Sequence, residues 1–97
     1  MSYDHDEIVD RLAKKFKTKH RREGVDIISK NRAMEVATSP EDLRQSVPQL
    51  NRSRAAKKYM VVPPSLYKEA EKLLKDTGIG MMNTRGAIKK RSRKKKQ

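Results

Sequence analysis

Apolar side chains recur along this chain with two periods, and the change of period separates the predicted helices from the predicted strands. From about Asp4 to Lys17, Ile8, Leu12 and Phe16 recur every four residues, with acidic residues at the start of the segment and lysines at its end. That spacing and that order of charges are typical of an amphipathic helix. The chain is therefore predicted to begin with a helix that buries one face.

Two short strands are predicted after this helix, over Val25–Ser29 and Ala33–Ala37, where β-branched and apolar residues predominate. Lys30 and Asn31 are predicted to form the turn between them. The segment 18–23 is rich in Lys, His and Arg, and it is predicted to be either an exposed strand or a loop. The two strands are expected to pair as a hairpin.

Helices and strands alternate in the second half of the chain. A hydroxyl residue, a proline and two acids predict a helix over about 40–56, although Pro48 is expected to kink or break it at a cost of about 3 kcal/mol. A strand follows over Lys58–Val62, and Ser65 then caps a second helix that Gly78 ends. The remaining predicted elements are a strand over Ile79–Met82, a turn at 83–86 and a further strand pairing at Ala87 and Ile88.

This order of elements predicts a mixed central sheet flanked by helices, in the α/β (α+β) class. Right-handed crossovers through the helices would place the later strands in the same sheet. Nearly every residue from Lys89 to Gln97 is basic, with no apolar anchor, which predicts a disordered tail. The chain is therefore expected to form a single domain over residues 1–88, followed by a basic tail over 89–97.

The 97 residues allow one small domain, and with 34% apolar residues its core must be thin. Lys and Arg outnumber Asp and Glu by 25 to 12, and the net charge of +13 favours a polyanionic partner, with nucleic acid ahead of an anionic membrane surface. No apolar run is long enough to cross a membrane. The absence of cysteine excludes disulfides and thiolate zinc sites, and we expect an intracellular protein that is cytoplasmic, nucleoid-associated or virus-encoded.

Each strand of the predicted hairpin carries one acid, Asp26 in the first and Glu35 in the second. A carboxylate among residues that are otherwise buried is costly unless a partner compensates its charge. Two such acids side by side on a hairpin provide oxygen ligands for a divalent cation. The alternative is that both are strand-edge acids paired with nearby Arg and Lys residues, which would contribute little to stability.

The sequence Gly-x-Asp-Ile at 24–27, Glu35 on the next strand and the predicted αβββαβ order resemble the PD-(D/E)XK nuclease superfamily. The chain is most similar in style to small archaeal-type Holliday junction resolvases, over roughly residues 4–62. The resemblance implies a restriction-endonuclease-like fold and a Mg²⁺- (or Mn²⁺-) dependent endonuclease, which hydrolyses double-stranded or branched DNA during recombination or repair. Because a junction needs two symmetric cuts, a domain this small is expected to form a homodimer.

The resemblance also implies roles for particular residues of this chain. Asp26 matches the first acid of the motif and Glu35 the second, and the backbone carbonyl of Val36 would be a further metal ligand. Glu7, expected on the face of the first helix nearest the sheet, is a candidate for the additional acid that some members carry, although stabilisation of the helix dipole also explains it. Two glutamines, which would otherwise be ordinary exposed helix residues, are candidates for the polar residue that orients the site in several subfamilies: Gln45 and Gln49.

The chain departs from the family pattern at Ala37, because the motif Glu-x-Lys requires a lysine two residues after Glu35. Alanine has no group that polarises water, so cleavage by this chain is expected to be weak or absent. Three interpretations follow: Ala37 is an inactivating replacement, the role of the lysine has moved to another element, or the domain binds nucleic acid without cutting it. The lysines considered as substitutes are Lys14, Lys30 and Lys58.

Basic residues at the end of the first helix and after it, in the hairpin turn, on the second helix and in the tail are expected to contact phosphates. A non-catalytic nucleic-acid-binding module is the alternative function, either as a degenerate nuclease or as a ribbon-helix-helix-like arrangement over 58–77. A basic structural protein of a ribosome or virus particle is a third function that the composition allows. The residues expected to bind nucleic acid are Lys14, Lys15, Lys17, Lys19, Arg21, Arg22, Lys30, Arg44, Lys89, Lys90, Arg91 and Arg93.

Overall fold

Three α-helices and five strands lie in the part of the chain that the computed structural model describes, which comprises residues 4–16, 27–29, 32–53, 55–75 and 77–92. The predicted strand or loop at 18–23 and the turn at 30–31 lie outside these ranges. The helices are α1 (His5–Lys15), α2 (Pro40–Arg52) and α3 (Tyr67–Leu74), which a 3-10 turn (Pro64–Leu66) precedes. The strands are β1 (Ile27–Ser29), β2 (Arg32–Val36), β3 (Lys57–Val61), β4 (Gly80–Met82) and β5 (Ile88–Lys90).

The five strands form one sheet in the order β1-β2-β3-β4-β5. The central strands β2, β3 and β4 are parallel, and the two edge strands are antiparallel to their neighbours. Both parallel connections pass over the same face, because right-handed crossovers that advance in one direction lie on one side of a sheet. The predicted mixed sheet flanked by helices is therefore confirmed. Its restriction-endonuclease-like form, with three strands before the first crossover, depends on residues 17–26 and stays a prediction.

Two helices begin close to where the sequence predicts, at residues whose side chains pair with free backbone N–H groups. The Asp4 carboxylate accepts hydrogen bonds from the N–H groups of Asp6 (2.9 Å) and Glu7 (3.2 Å) at the start of α1. The Ser39 hydroxyl accepts a hydrogen bond from the N–H of Asp42 (3.2 Å) at the start of α2. Both helix starts follow from local sequence alone.

Three local predictions need correction. The helix α2 continues past Pro48 to Arg52, so the proline does not break it; Pro48 and Arg44, whose carbonyl group loses its hydrogen bond, are both exposed, and solvent is able to pair with that carbonyl. Ser65 caps no helix, because it lies inside the 3-10 turn and α3 begins without a side-chain cap. Lys89 and Lys90 belong to β5 instead of a disordered tail, because this segment pairs with β4.

The sheet is covered on both faces, and the side chains of its strands alternate between two apolar clusters. We call these two sides the α1 face and the α2/α3 face, after the helices that pack on them. The α1 face consists of Ile8, Val9, Leu12, Ile27, Met34, Val36, Tyr59, Val61 and Met82. The α2/α3 face consists of Ala33, Ala37, Leu43, Leu50, Met60, Val62, Leu66, Ala70, Leu74, Ile79 and Met81.

The parallel strands also give the sheet two distinct ends. The carboxyl ends of β2, β3 and β4 lie together, and we call this the carboxyl end of the sheet. The starts of the same strands lie together at the opposite, amino end. Because α2 and α3 run back between parallel strands, each of them starts at the carboxyl end and finishes at the amino end.

Candidate functional site

Glu35 lies on β2, which pairs with β1 on one side and β3 on the other. Its neighbours Ala33 and Ala37 belong to the α2/α3 cluster, while Met34 and Val36 belong to the α1 cluster. Because side chains alternate along a strand, the carboxylate of Glu35 projects to the α2/α3 face. Glu35 is only 4% exposed, and it is the one buried charged residue in the described part of the chain.

Small side chains flank this carboxylate. Ala33 and Ala37 lie on either side of it along β2, and Ser46 is buried on α2, the helix that covers β2. Within the described ranges no fully buried side-chain nitrogen or oxygen lacks a hydrogen-bond partner, and Glu35 is not without an interaction partner. Burial of a carboxylate still costs roughly several kcal/mol of stability, and an apolar residue at this position would avoid that cost. Glu35 is therefore a candidate for function.

The partner predicted for Glu35 is Asp26, which lies outside the described residues. The strand β1 begins at the next residue, Ile27, whose Cα pairs with that of Met34. Among the residues that the structure describes, no group of three or more acidic, His or Cys side chains converges on a metal site. A metal ion shared by Asp26 and Glu35 therefore stays a prediction, and the carbonyl ligand expected from Val36 belongs to the same prediction.

The additional polar residues predicted for the site lie on both sides of the sheet. Glu7 is exposed in the first turn of α1, and the buried stripe of that helix begins at Ile8. Glu7 therefore does not face the sheet, contrary to the prediction, and its helix covers the face opposite to Glu35. Gln45 and Gln49 lie on α2, which covers the face of Glu35, but both are exposed. The predicted site residues therefore do not all converge.

Ala37, at the position of the motif lysine, is completely buried. Its N–H donates to the carbonyl of Val61 (2.9 Å), so the pairing of β2 with β3 continues past the end of β2. Its side chain belongs to the same apolar cluster as Leu43 of α2. A lysine at this position would have to place its long stem within that cluster. In this fold Ala37 is a core residue.

Of the three lysines considered as substitutes, Lys58 lies on the face of Glu35. Its Cα pairs with Ala33, and paired residues of parallel strands project to the same face. Lys58 is half-buried, and its Nζ donates to the carbonyl of Asn51 at the end of α2 (3.3 Å). Lys14 is an exposed residue of α1, across the sheet from Glu35, and Lys30 lies outside the described ranges.

The basic residues predicted to bind nucleic acid do not form one cluster. Lys15 lies at the carboxyl end of the sheet, where its Nζ donates to the carbonyl of Arg85 (2.6 Å) in the turn after β4. Arg44 is exposed near the start of α2, also at the carboxyl end, whereas Lys90 and Arg91 lie at the amino end. The other described members, Lys14 and Lys89, are exposed, and the remainder lie outside the described residues: Lys17, Lys19, Arg21, Arg22, Lys30 and Arg93.

The amino end of the sheet carries basic residues that the sequence analysis did not select for nucleic-acid binding. Arg32 and Lys57 are Cα partners at the first positions of β2 and β3, and Lys58 follows directly. The guanidinium group of Arg32 lies 5.9 Å from the centre of the Tyr59 ring. The available signal was that both strands begin with basic residues, but only their parallel pairing brings these residues together.

Comparison with known protein families finds no matching family model, and no curated protein and no solved structure matches this chain significantly. None of the helices in the described part of the chain has the length and the apolar content that a membrane crossing requires. Inference of function therefore depends on the buried acid Glu35, the residue at position 37 and the basic amino end of the sheet.

Proposed function

We propose that this chain is a nucleic-acid-binding domain of the nuclease type, in which Glu35 and Asp26 hold a Mg²⁺ ion for hydrolysis of phosphodiester bonds. The observation that carries the proposal is the burial of Glu35 in an internal strand of the sheet, on the face that Lys58 shares. A phosphate substrate bound to a metal ion needs carboxylates for the ion and cationic groups for the phosphate. The net charge of +13 supports a polyanionic substrate.

The donor chemistry of the site suits Mg²⁺. This ion prefers oxygen ligands, and it is usually held by one or two carboxylates together with waters and substrate phosphates. When bound, it would stabilise charge on the phosphoryl oxygens and make hydroxide available near neutral pH. Glu35, on the internal strand β2, would be one ligand of the ion, and Asp26 would supply the second carboxylate. Lys58, on the same face of the sheet as Glu35, would orient a phosphate oxygen or a water.

Slow cleavage is expected, because Ala37 places no ammonium group beside Glu35. Lys58 is on the correct face, but its Nζ is hydrogen bonded to the carbonyl of Asn51 (3.3 Å). It would have to leave that carbonyl to reach a substrate. Because the bond is long and Lys58 is only half-buried, this rearrangement requires little disruption of the core.

Cleavage of a supercoiled plasmid and of a four-way DNA junction with Mg²⁺ or Mn²⁺ tests the proposal. The proteins to compare are the unmodified chain, Glu35→Gln, Asp26→Asn and Lys58→Met. We expect slow, metal-dependent cleavage by the unmodified chain and none by the two acid variants, whose DNA affinity in EDTA should be unchanged. Cleavage that persists in Glu35→Gln at an equal rate would overturn the proposal, because it would come from another site or from a contaminant.

The burial of Ala37 favours a second candidate function, which is nucleic-acid binding without cleavage. The variant Ala37→Lys separates the two functions, provided that circular dichroism shows it to be folded. Cleavage gained in this variant, and removed again by adding Asp26→Asn, would support the nuclease. A folded variant that binds DNA and leaves it intact would support the non-catalytic domain.

A homodimer belongs to the same proposal, because resolution of a four-way junction requires two symmetric cuts. Sedimentation equilibrium over a wide concentration range tests this part directly. We expect a dimer whose association constant increases when a four-way junction is bound. If a monomer binds the junction and both strands are nevertheless cut, the homodimer is excluded, but the proposed metal site is not.

A further inference from the structure

The amino end of the sheet gathers basic side chains from separate elements of the chain. The strands β2 and β3 contribute their first residues, α2 its last residue, and the end of β5 its final residues. We propose that this surface binds the phosphodiester backbone of duplex nucleic acid. The residues that form the surface, which we call the amino-end surface, are Arg32, Arg52, Lys57, Lys58, Lys90 and Arg91.

Strand pairing and two specific contacts hold this surface together. Arg32 and Lys57 are register partners, so their backbones are about 4.8 Å apart. The Ser92 hydroxyl accepts a hydrogen bond from the N–H of Lys58 (3.0 Å) and donates one to the carbonyl of Gly78 (3.2 Å). This bridge places the residues that follow β5 beside the start of β3.

Gly80 permits the close approach of β5 to the start of β4. A Cβ atom at this position would lie 2.5 Å from the carbonyl oxygen of Lys90 and 2.6 Å from the nitrogen of Ser92. Only glycine allows the backbone to pass at this distance. The cationic residues Lys90 and Arg91 are therefore positioned by the fold and are not carried on a free tail.

The charges of the amino-end surface are not neutralised within the described fold. The ion pair observed between described residues joins His5 and Asp6. None of the six residues of the surface therefore forms an ion pair with a described carboxylate. Two acids of α2, Glu41 and Asp42, lie at the start of the helix, which is the carboxyl end of the sheet. The two carboxylates of α2 therefore lie at the opposite end of the sheet from the amino-end surface.

The size of the surface suits a duplex. It extends across the starts of β2, β3 and β4 and the end of β5, which is about 14 Å at the usual spacing between strands. Duplex DNA carries one phosphate charge per roughly 1.7 Å of helix axis, so several phosphates lie within that length. The surface offers no aromatic side chain for stacking on unpaired bases, because Tyr59 is buried.

An anionic membrane is a poorer partner for this surface. Proteins that bind at a membrane interface insert apolar side chains beside their basic residues. The large apolar side chains exposed in the described part of the chain are Leu73 on α3 and Ile88. Leu73 lies near the end of α3, at the amino end, whereas Ile88 pairs with Met82, the last residue of β4, at the opposite end. Among the described residues a single large exposed apolar side chain therefore lies at the end of the sheet that carries the proposed surface.

This inference deepens the proposed function by locating where the nucleic acid lies, but the surface does not depend on metal binding or on cleavage. Its test is therefore carried out in EDTA. The double variant Lys57→Gln/Arg91→Gln removes two exposed charges from the surface. The double variant Arg85→Gln/Lys68→Gln is the matched control, because it removes one exposed arginine and one exposed lysine at the carboxyl end of the sheet, after β4 and near the start of α3.

Binding of a labelled DNA duplex is measured by fluorescence anisotropy over a series of salt concentrations. We expect the first pair to weaken binding by about tenfold or more at 0.1 M salt and to lower the slope of log K against log salt by about 2, with less than about threefold change for the control pair. All these positions are exposed, and thermal unfolding of each variant checks that the fold is retained.

Equal weakening by the two pairs would overturn the proposal, because net charge and not the surface would then determine binding. Tighter binding to phosphatidylserine vesicles than to the duplex would also overturn it. Loss of DNA affinity in the first pair, together with no cleavage by any protein, would support the surface and reject the metal site. If Glu35→Gln abolishes cleavage but Lys57→Gln/Arg91→Gln leaves the DNA affinity unchanged, the metal site is supported and the amino-end surface is rejected.

Discussion

The two faces of this sheet are built from the same strands, yet they carry different kinds of side chain. On the α1 face the buried side chains of the internal strands are all hydrophobic, among them Met34, Val36 and Val61, and the charged residues Arg32 and Lys57 lie only at the first positions of β2 and β3. On the α2/α3 face β2 contributes Glu35, which is 4% exposed, and β3 contributes the half-buried Lys58. The buried layer of the α1 face is therefore entirely hydrophobic, whereas that of the α2/α3 face includes a carboxylate.

This difference distinguishes residues that stabilise the fold from residues that are candidates for catalysis or binding. The side chains of the α1 face are explained by packing alone, because each is buried among apolar neighbours. The burial of Glu35 is not explained in this way, since an apolar residue would avoid the cost of removing a carboxylate from water. Substitutions on the two faces should therefore change different measurable properties.

The largest effect is expected when a carboxylate is placed on the wrong face, as in Val36→Glu. The acid would then project into the apolar layer under α1, and we expect the free energy of unfolding to fall by about 4 kcal/mol or more. Urea denaturation measures the loss, with Val36→Ala as the control for lost packing. If Val36→Glu lost no more than Val36→Ala, the two faces would not differ as described.

A smaller loss of stability is expected from Met34→Ala, which leaves a cavity on the α1 face. Met34 is completely buried, and truncation of such a side chain costs about 2–5 kcal/mol. The folded fraction should keep the DNA affinity of the unmodified chain, because Met34 is completely buried and is not part of the amino-end surface. A loss of affinity greater than the loss of folded protein would show that the buried layer of the α1 face also affects binding.

Gly80→Ala is expected to cost about 1–3 kcal/mol, because the new methyl group would meet backbone atoms of Lys90 and Ser92 and the ring of Tyr59. Displacement of the end of β5 should also weaken DNA binding through Lys90. Ser92→Ala is the milder control, as it removes a hydroxyl bridge worth about 1 kcal/mol. Full stability and full affinity in Gly80→Ala would contradict the close approach of β5.

The smallest change in stability is expected for Glu35→Gln, within about 1 kcal/mol, because glutamine keeps the shape and removes the buried charge. The substitution should instead change how much a bound metal ion stabilises the protein. At ten times its dissociation constant, Mg²⁺ or Mn²⁺ should stabilise the unmodified chain by about 1.4 kcal/mol, and the variant hardly at all. Equal metal-induced shifts in melting temperature for the two proteins would exclude Glu35 as a ligand.

Much of the fold could be predicted from local patterns. The start of α1 follows from the Asp4 cap and the acids behind it, and the start of α2 follows from the hydroxyl-proline sequence at Ser39 and Pro40. Pro48 does not break α2, because a helix tolerates proline where the freed carbonyl group reaches solvent. Lys89 and Lys90 misled the prediction, because basic composition says nothing about whether a backbone segment can pair with an edge strand.

The candidate site was predictable only in part. Glu35 was selected because an acid among apolar strand residues is unusual, and its burial agrees with that reasoning. Glu7 was misplaced, because the first turn of an amphipathic helix contains both exposed and buried positions. Arg32 and Lys57 were missed, because each looks ordinary until the register of β2 with β3 is known.

The sequence by itself determined most of the described helices and strands, the strongly cationic composition, and the position of Glu35 among apolar residues of a strand. Periodicity and charge act locally, so they can be read along the chain. Only the tertiary structure decided that Glu35 and Lys58 share a face, that Ala37 is a core residue, and that basic residues from distant segments meet at one end of the sheet. Those relations depend on strand order and register, which result from packing the whole chain and not from any one segment.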